Sequence, residues 1–139
     1  MFAEALVCLA LNVYHEARDQ PFIGQVAVAQ VVMNRVHDDR YPDDVCEVVT
    51  QGPTYSWKPD FPVRHRCQFS WYCDGKSDKT PDQTAWEQAL TIAQGVHTGN
   101  LDDFVEGATH YHATYVLPEW AESKTPVVQI GEHIFYRWD

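Results

Sequence analysis

The sequence predicts an α+β fold, mostly helical with a small antiparallel sheet near the C-terminus. Three observations carry this. Residues 3 to 36 hold two apolar runs at helical spacing, separated by Pro21 and Gly24. A further helical run starts at Thr80 and Pro81 and stops at Gly99. Beyond it the pattern turns to short apolar segments around a Gly131-Glu132 turn. Helices first and a sheet afterwards is the order of an α+β chain rather than of a βαβ repeat.

The first helix spans 3 to 17, with Leu6, Leu9, Ala10, Val13 and Ala17 at three- and four-residue steps. The second spans 22 to 36 and is apolar nearly all round, from Ile23 through Val26, Ala27, Ala29, Val31 and Val32 to Val36. Such a helix belongs at the centre of the core. Tyr41-Pro42 opens a short helix that ends near Gln51-Gly52, with Pro suited to the first turn and Gly to the exit. Residues 53 to 79 hold three prolines and several aromatics and read as a long, ordered loop. Thr80 is the expected cap of the next helix, with Pro81 in its first turn and Gln83 completing a capping box. Thr109 to Tyr115 alternates weakly. Val127 to Ile130 and His133 to Trp138 form a hairpin with Gly first in its turn.

The chain has 139 residues and 45% hydrophobic content, which fits one domain over 1–139 with a true core. Its formal charge of −10 argues against nucleic acid or anionic lipid, which need clustered cations, and the richest cluster, Arg64-His65-Arg66, is too short to overturn this. A neutral glycan is compatible, and five Trp and seven Tyr supply faces on which sugars stack, although most such rings serve as core. No segment reaches the ~20 apolar residues of a membrane span. Phe2 to Tyr14 lacks a basic start and carries Glu4, so it reads as a mature helix rather than a signal peptide. No export signal is visible, which fits a phage lysin made in the host cytoplasm or a trimmed bacterial domain.

Of the four cysteines, Cys8 lies in an apolar helical stretch and is expected to be a buried thiol. Cys67 and Cys73 flank an aromatic segment, and either can bridge the other or Cys46. A bridge would place the working compartment on the oxidising side.

Chemistry concentrates at Tyr14-His15-Glu16-Ala17-Arg18, the end of the first helix. Glycosidic cleavage needs a carboxylic acid that keeps its proton near neutral pH. Apolar surroundings and a helix C-terminus both disfavour a carboxylate, and Glu16 has both. The competing reading is a surface Glu paired with Arg18.

Residues 12 to 18 read Asn-Val-Tyr-His-Glu-Ala-Arg, and residues 24 to 35 read Gly-Gln-Val-Ala-Val-Ala-Gln-Val-Val-Met-Asn-Arg. Tyr41-Pro42, Val48-Val49 with Gln51, Gln68-Phe69-Ser70, Ala108 to Tyr111, and Ile130-Gly131 with His133 and Phe135-Tyr136 follow in order. This series of blocks, over roughly residues 4 to 137, resembles the SleB-type cell-wall hydrolase family. The resemblance implies a lysozyme-like fold and cleavage of the glycan strand of peptidoglycan between N-acetylmuramic acid and N-acetylglucosamine. Its best-studied members are lytic transglycosylases, and their catalytic Glu falls on Glu16. A second Glu that often follows the Arg in the family is Gln20 here. That departure counts against a second catalytic carboxylate at that place and leaves a one-carboxylate mechanism intact.

The expected activity is therefore a lytic transglycosylase acting on peptidoglycan glycan strands, as a monomer without metal or cofactor, at the cell wall or in the periplasm. Gln68, Ser70 and Trp71 of the aromatic loop are candidates for binding sugar amides and faces. Tyr111 and His112 are candidates for orienting the acid or an acetamido group. Asn34 and Arg35 are expected to hold loop carbonyls. Three alternatives stand beside this reading. One is a hydrolytic muramidase. Another is a zinc-dependent amidase using His110 and His112, on one face of a strand, with His15 or His133. The last is a non-catalytic glycan-binding module.

Overall fold

The computed structural model describes residues 2–139. Helix α1 (Phe2–Ala17) is followed by α2 (Phe22–Val36) and a short α3 (Val45–Val49). A small hairpin of β1 (Thr54–Tyr55) and β2 (Lys58–Pro62) and a 3-10 turn at Ser70–Cys73 lead to α4 (Gln83–His97). Strands β3 (His110–Ala113), β4 (Thr125–Ile130) and β5 (His133–Arg137) complete the chain, with a 3-10 turn at Glu119–Ser123 before β4. The α+β architecture is as expected, helices first and sheet last.

Helix α2 is the centre of the molecule, and the reason is its sequence. A stripe that is apolar all round can be buried on every side, and Gly24 through Val32 are all buried. One face, Val26, Ala29 and Val32, packs with Leu9, Val13 and Tyr14 of α1, Val48 of α3 and Ile92 and Ala93 of α4. The opposite face, Ala27, Val28 and Val31, packs with Ala17, Val105, Ala108 and Phe135 against the sheet. Each fully buried Val contributes about 1.5–3 kcal/mol relative to exposure. Thus α2 serves two cores at once and holds the sheet against the helices.

The sheet runs β3-β5-β4, antiparallel throughout. Tyr111 pairs with Phe135, Ala113 with His133 and His110 with Tyr136. Alternation along a strand therefore sends Tyr111, Ala113, His133 and Phe135 to the helix side and His110, His112 and Tyr136 to the other. The extra residue at Pro126–Val128 makes a bulge in β4, an edge strand, where a proline costs no ladder bond. Gly131 opens the β4–β5 turn with φ of 57°, as a Gly-first turn requires.

Several local expectations are corrected. The short helix starts at Val45, not at Pro42, because Asp44 caps it by accepting from the Glu47 N–H. Helix α4 starts at Gln83, because Asp82 rather than Thr80 caps it, accepting from the Ala85 N–H. The segment 53 to 79 is not wholly loop, since it contains the β1–β2 hairpin. Cys8 is not a free thiol: it is bonded to Cys46, and Cys67 is bonded to Cys73. Its place in an apolar run was misleading, because α1 turns that side to α3 rather than to α2. Among the described residues no helix is long and apolar enough to cross a membrane.

Candidate active site

Glu16 occupies the last turn of α1, one residue from its end. The residues around it are fixed in turn. Tyr14 is fully buried, and its hydroxyl accepts from the Asp82 N–H at the start of α4, 3.1 Å away. His15 stacks on Trp71 with centroids 4.9 Å apart and bonds the Asp78 carbonyl at 3.1 Å. Arg18 lays its guanidinium over the Tyr14 ring, 4.8 Å from the centroid, which leaves it employed elsewhere than as a partner of Glu16.

The partner of Glu16 comes from the sheet. Tyr111 Oη donates to Glu16 Oε1 at 2.5 Å. Burial pushes the Glu16 carboxyl above the ordinary carboxylate range, and the Tyr111 hydroxyl and the Arg35 charge pull it back only in part. Burial and the neighbouring Glu16 charge push Tyr111 well above the usual phenol value, so it remains a hydrogen-bond donor across the working pH range. Arg35 is buried, donates from Nε to the Thr109 carbonyl at 2.7 Å and from Nη1 to Gln68 Oε1 at 3.4 Å, and lies over the rings of Tyr41 and Phe69. With Asn34 donating to the Ala108 carbonyl at 2.9 Å, the pair holds the approach to β3 as the sequence suggested.

Two cavities meet at Glu16. One, of about 200 Å³, lies between the end of α1 and the β4–β5 turn and includes Arg18, Gln20, Tyr115, Glu132 and His133. The other, of about 90 Å³, is lined by Arg35, Gln68, Phe69, His110, Tyr111 and Trp120. Each cavity includes Glu16, so both give space next to the carboxyl. Tyr115, 81% exposed, offers an open ring at the rim of the larger cavity.

The candidates from sequence divide. Tyr111 and Gln68 stand with Glu16. Gln68 is held by its N–H, which donates to the Gln51 carbonyl at 2.9 Å, and by the neighbouring Cys67–Cys73 bond. Trp71 is buried and donates to Asn12 Oδ1 at 2.9 Å, so it supports His15 from within the core rather than offering an open face. Ser70 is exposed at the start of its 3-10 turn and lines neither cavity. His112 lies on the far face of the sheet, stacked on Tyr136 with both ring nitrogens occupied, by the Ala113 carbonyl and the Tyr136 hydroxyl at 2.8 Å each. It does not reach Glu16. A zinc site through His110 and His112 would have to break these bonds, and no group of three potential ligands comes together among the described residues.

Trp120, Tyr115 and Glu132 were given no site role from sequence, and His110 and His133 were considered only as zinc ligands, whereas both line the cavities beside Glu16. The Ile130 to Tyr136 block includes Glu132 but carries no signal for its role.

Comparison with known proteins agrees with the fold. The family model described as Cell Wall Hydrolase matches residues 19–136, a span that starts just after Glu16. The spore cortex-lytic enzyme of Halalkalibacterium halodurans is 34% identical over 128 residues, 91% of this chain and 33% of that protein. The spore cortex-lytic enzyme of Bacillus subtilis is 29% identical over 127 residues, 91% of this chain and 35% of that protein. The chain thus spans about a third of the length of these relatives. The catalytic domain of the germination-specific lytic transglycosylase SleB of Bacillus anthracis superposes with a TM-score of 0.68 at 28% identity, covering 96% of this chain and 93% of that one. The catalytic domain of Bacillus cereus SleB gives 0.67 at 28% identity, covering 96% and 89%. The chain belongs to the cell wall hydrolase family.

Proposed function

We propose that this domain cleaves the glycan strand of peptidoglycan between N-acetylmuramic acid and N-acetylglucosamine, as a lytic transglycosylase with Glu16 as its acid and base. The observation that carries the reading is the Glu16 carboxyl itself. It is half-buried, its pKa is raised by burial, it accepts from Tyr111, and it lines two cavities.

The chemistry follows from these positions. Tyr111 engages Oε1, which leaves Oε2 to carry the proton. Glu16 donates that proton to the glycosidic oxygen as the C1–O bond breaks, and the N-acetylglucosamine hydroxyl leaves. The resulting carboxylate is stabilised by the Tyr111 hydroxyl and the Arg35 charge. It then takes the proton of the muramic 6-hydroxyl as that oxygen closes on C1. The acid is regenerated, no water is consumed, and the product is a 1,6-anhydro end. Gln68 and Tyr115 are proposed to contact the sugars on the two sides of the bond. The place of action follows the polymer: the cell wall or periplasm.

Hydrolysis by a muramidase is the second reading, because Asp19 and Glu132 place further carboxylates in the larger cavity. An inverting hydrolase needs a base ~6.5–9.5 Å from the acid. The test is mass analysis of fragments released from purified peptidoglycan. Anhydro-muropeptides support the transglycosylase. Reducing muramic ends favour the muramidase, and free peptides overturn both. Glu16→Gln should lower turnover by about 10²–10⁴-fold, and a fully active variant removes Glu16 from its role.

A further inference from the structure

Gln20 spends its whole side-chain amide on one residue that lies 112 positions away. Its Oε1 accepts from the Glu132 backbone N–H at 2.8 Å, and its Nε2 donates to Glu132 Oε2 at 3.3 Å. The first bond would suffice to hold the β4–β5 turn. The second does something else: it fixes the direction of the Glu132 carboxylate.

The clasp is anchored at both ends. The Gln20 N–H donates to the Ala17 carbonyl at 2.9 Å, and the Gln20 carbonyl accepts from Gln25 Nε2 at 3.0 Å. On the other side, a Cβ on Gly131 would collide with Gln20 Oε1 and lie 3.0 Å from Pro21 Cδ, so the turn sits directly on the Gln20–Pro21 corner.

Glu132 lines the larger cavity together with Glu16. Its Oε1 has no protein donor among the described residues. Arg18, the cation of that cavity, is stacked on Tyr14 and forms no ion pair with it. A carboxylate held by a neutral amide has acceptor sites to spare, and hydrogen bonds to a charged acceptor are the strong ones. The complementary ligand is a neutral group rich in O–H and N–H donors.

We propose that Glu132 is a substrate-anchoring residue of the Glu16 cleft, positioned by Gln20, that accepts from hydroxyl or amide N–H donors of an N-acetylhexosamine on that side of the scissile bond. This rests on the glycan-cleaving reading above. The neighbouring titratable groups facing the clasp are His15, Glu16, Arg18, Asp19 and His133.

The experiment measures kcat and KM separately on a peptide-free oligosaccharide of alternating N-acetylglucosamine and N-acetylmuramic acid. Binding of the same oligosaccharide to the Glu16→Gln protein is measured by calorimetry. Glu132→Gln should raise KM by about 10-fold with kcat changed less than about twofold, as loss of a charge-assisted bond made equally in ground and transition states predicts. Gln20→Ala should raise KM by a smaller factor. Gln20→Glu sets two carboxylates against each other, so its KM should rise at pH 7 by more than that of Gln20→Ala. An unchanged KM in Glu132→Gln and Gln20→Ala overturns the proposal, as does a loss of kcat at constant KM, which would make Glu132 a base. Should Glu132→Gln not fold, the two Gln20 variants decide. If the wild type binds the glycan without cutting it, and Glu132→Gln still weakens binding to the Glu16→Gln protein, the cleavage reading fails and the anchor stands. No binding at all overturns the anchor.

Discussion

The Tyr111 hydroxyl donates to Glu16 Oε1 at 2.5 Å across 95 residues of chain, so the acid and the group that orients it come from different layers of the fold. This hydrogen bond favours the carboxylate, in opposition to burial. Tyr111→Phe should therefore raise the Glu16 pKa further. The basic limb of the kcat/KM profile, which reports the acid of the free enzyme, should move to higher pH. Turnover should fall by about 10–100-fold from lost stabilisation of the carboxylate formed in the reaction. A pH–rate profile of the two proteins checks both effects.

Glu16 also sets a stability slope. Its folded pKa lies above its unfolded value, so the native state holds the proton more tightly. That contribution is complete below the unfolded value and is lost as pH rises through the folded one. Glu16→Gln removes the cost of a buried carboxylate, and its melting temperature should exceed that of the wild type at pH 7–8 but not at pH 4. Thermal melts at the two pH values check the sign.

His110 slopes the other way. Burial, helped by the charges of Arg35, Lys124 and Arg40, lowers its pKa from 6.5 to about 4. Its neutral form contributes stability fully above about pH 6.5, and that stability disappears as pH falls towards 4. His110→Asn should flatten the acid side of the stability curve across this window. The His110 ring resonances in NMR should stay at their neutral positions down to about pH 5.

Arg35 should not tolerate Lys. Its fork reaches Thr109 and Gln68 at once, and its plane lies over Tyr41 and Phe69, and an ammonium can do neither in that geometry. Arg35→Lys should cost about 2–3 kcal/mol in denaturant unfolding. It should also lower activity beyond the loss of folded protein, because Gln68 loses its donor.

The two disulfides should separate stability from activity. Cys8–Cys46 joins residues 38 apart and Cys67–Cys73 residues 6 apart. By the chain-entropy relation their removal should cost about 4 and about 2 kcal/mol respectively. The smaller loop carries Gln68 and Phe69 to the cavity beside Glu16, so Cys67→Ala with Cys73→Ala should reduce activity at temperatures where the protein remains folded. The Cys8–Cys46 double variant should mainly lower the melting temperature.

The helical part of this fold was legible because its signals are local. Helix α2 runs over 22 to 36 as its apolar pattern dictates, and Glu16 stands at a helix end as its motif required. The sheet residues were legible where a strand pattern met a family-like block, as at Tyr111. Trp71 and His112 were read as site residues because aromatic and imidazole groups suit sugars, but sequence does not say which face of a loop or strand meets the cleft. Strand register sends His112 away from Glu16, and the Asn12 acceptor draws Trp71 inward. Glu132 was invisible for a different reason. Its importance lies in contact with Gln20, 112 residues away, and no local pattern encodes that meeting.

The double employment of α2 has a further consequence. Its two faces hold two separate cores, one among helices and one against the sheet. Tyr111 packs against both, so the hydroxyl donor of the site stands where the two cores meet. Heat or denaturant that peels the sheet away would leave a helical body carrying a bare acid. Activity at Glu16 then reports the docking of the sheet, and circular dichroism reports the helical body beneath it.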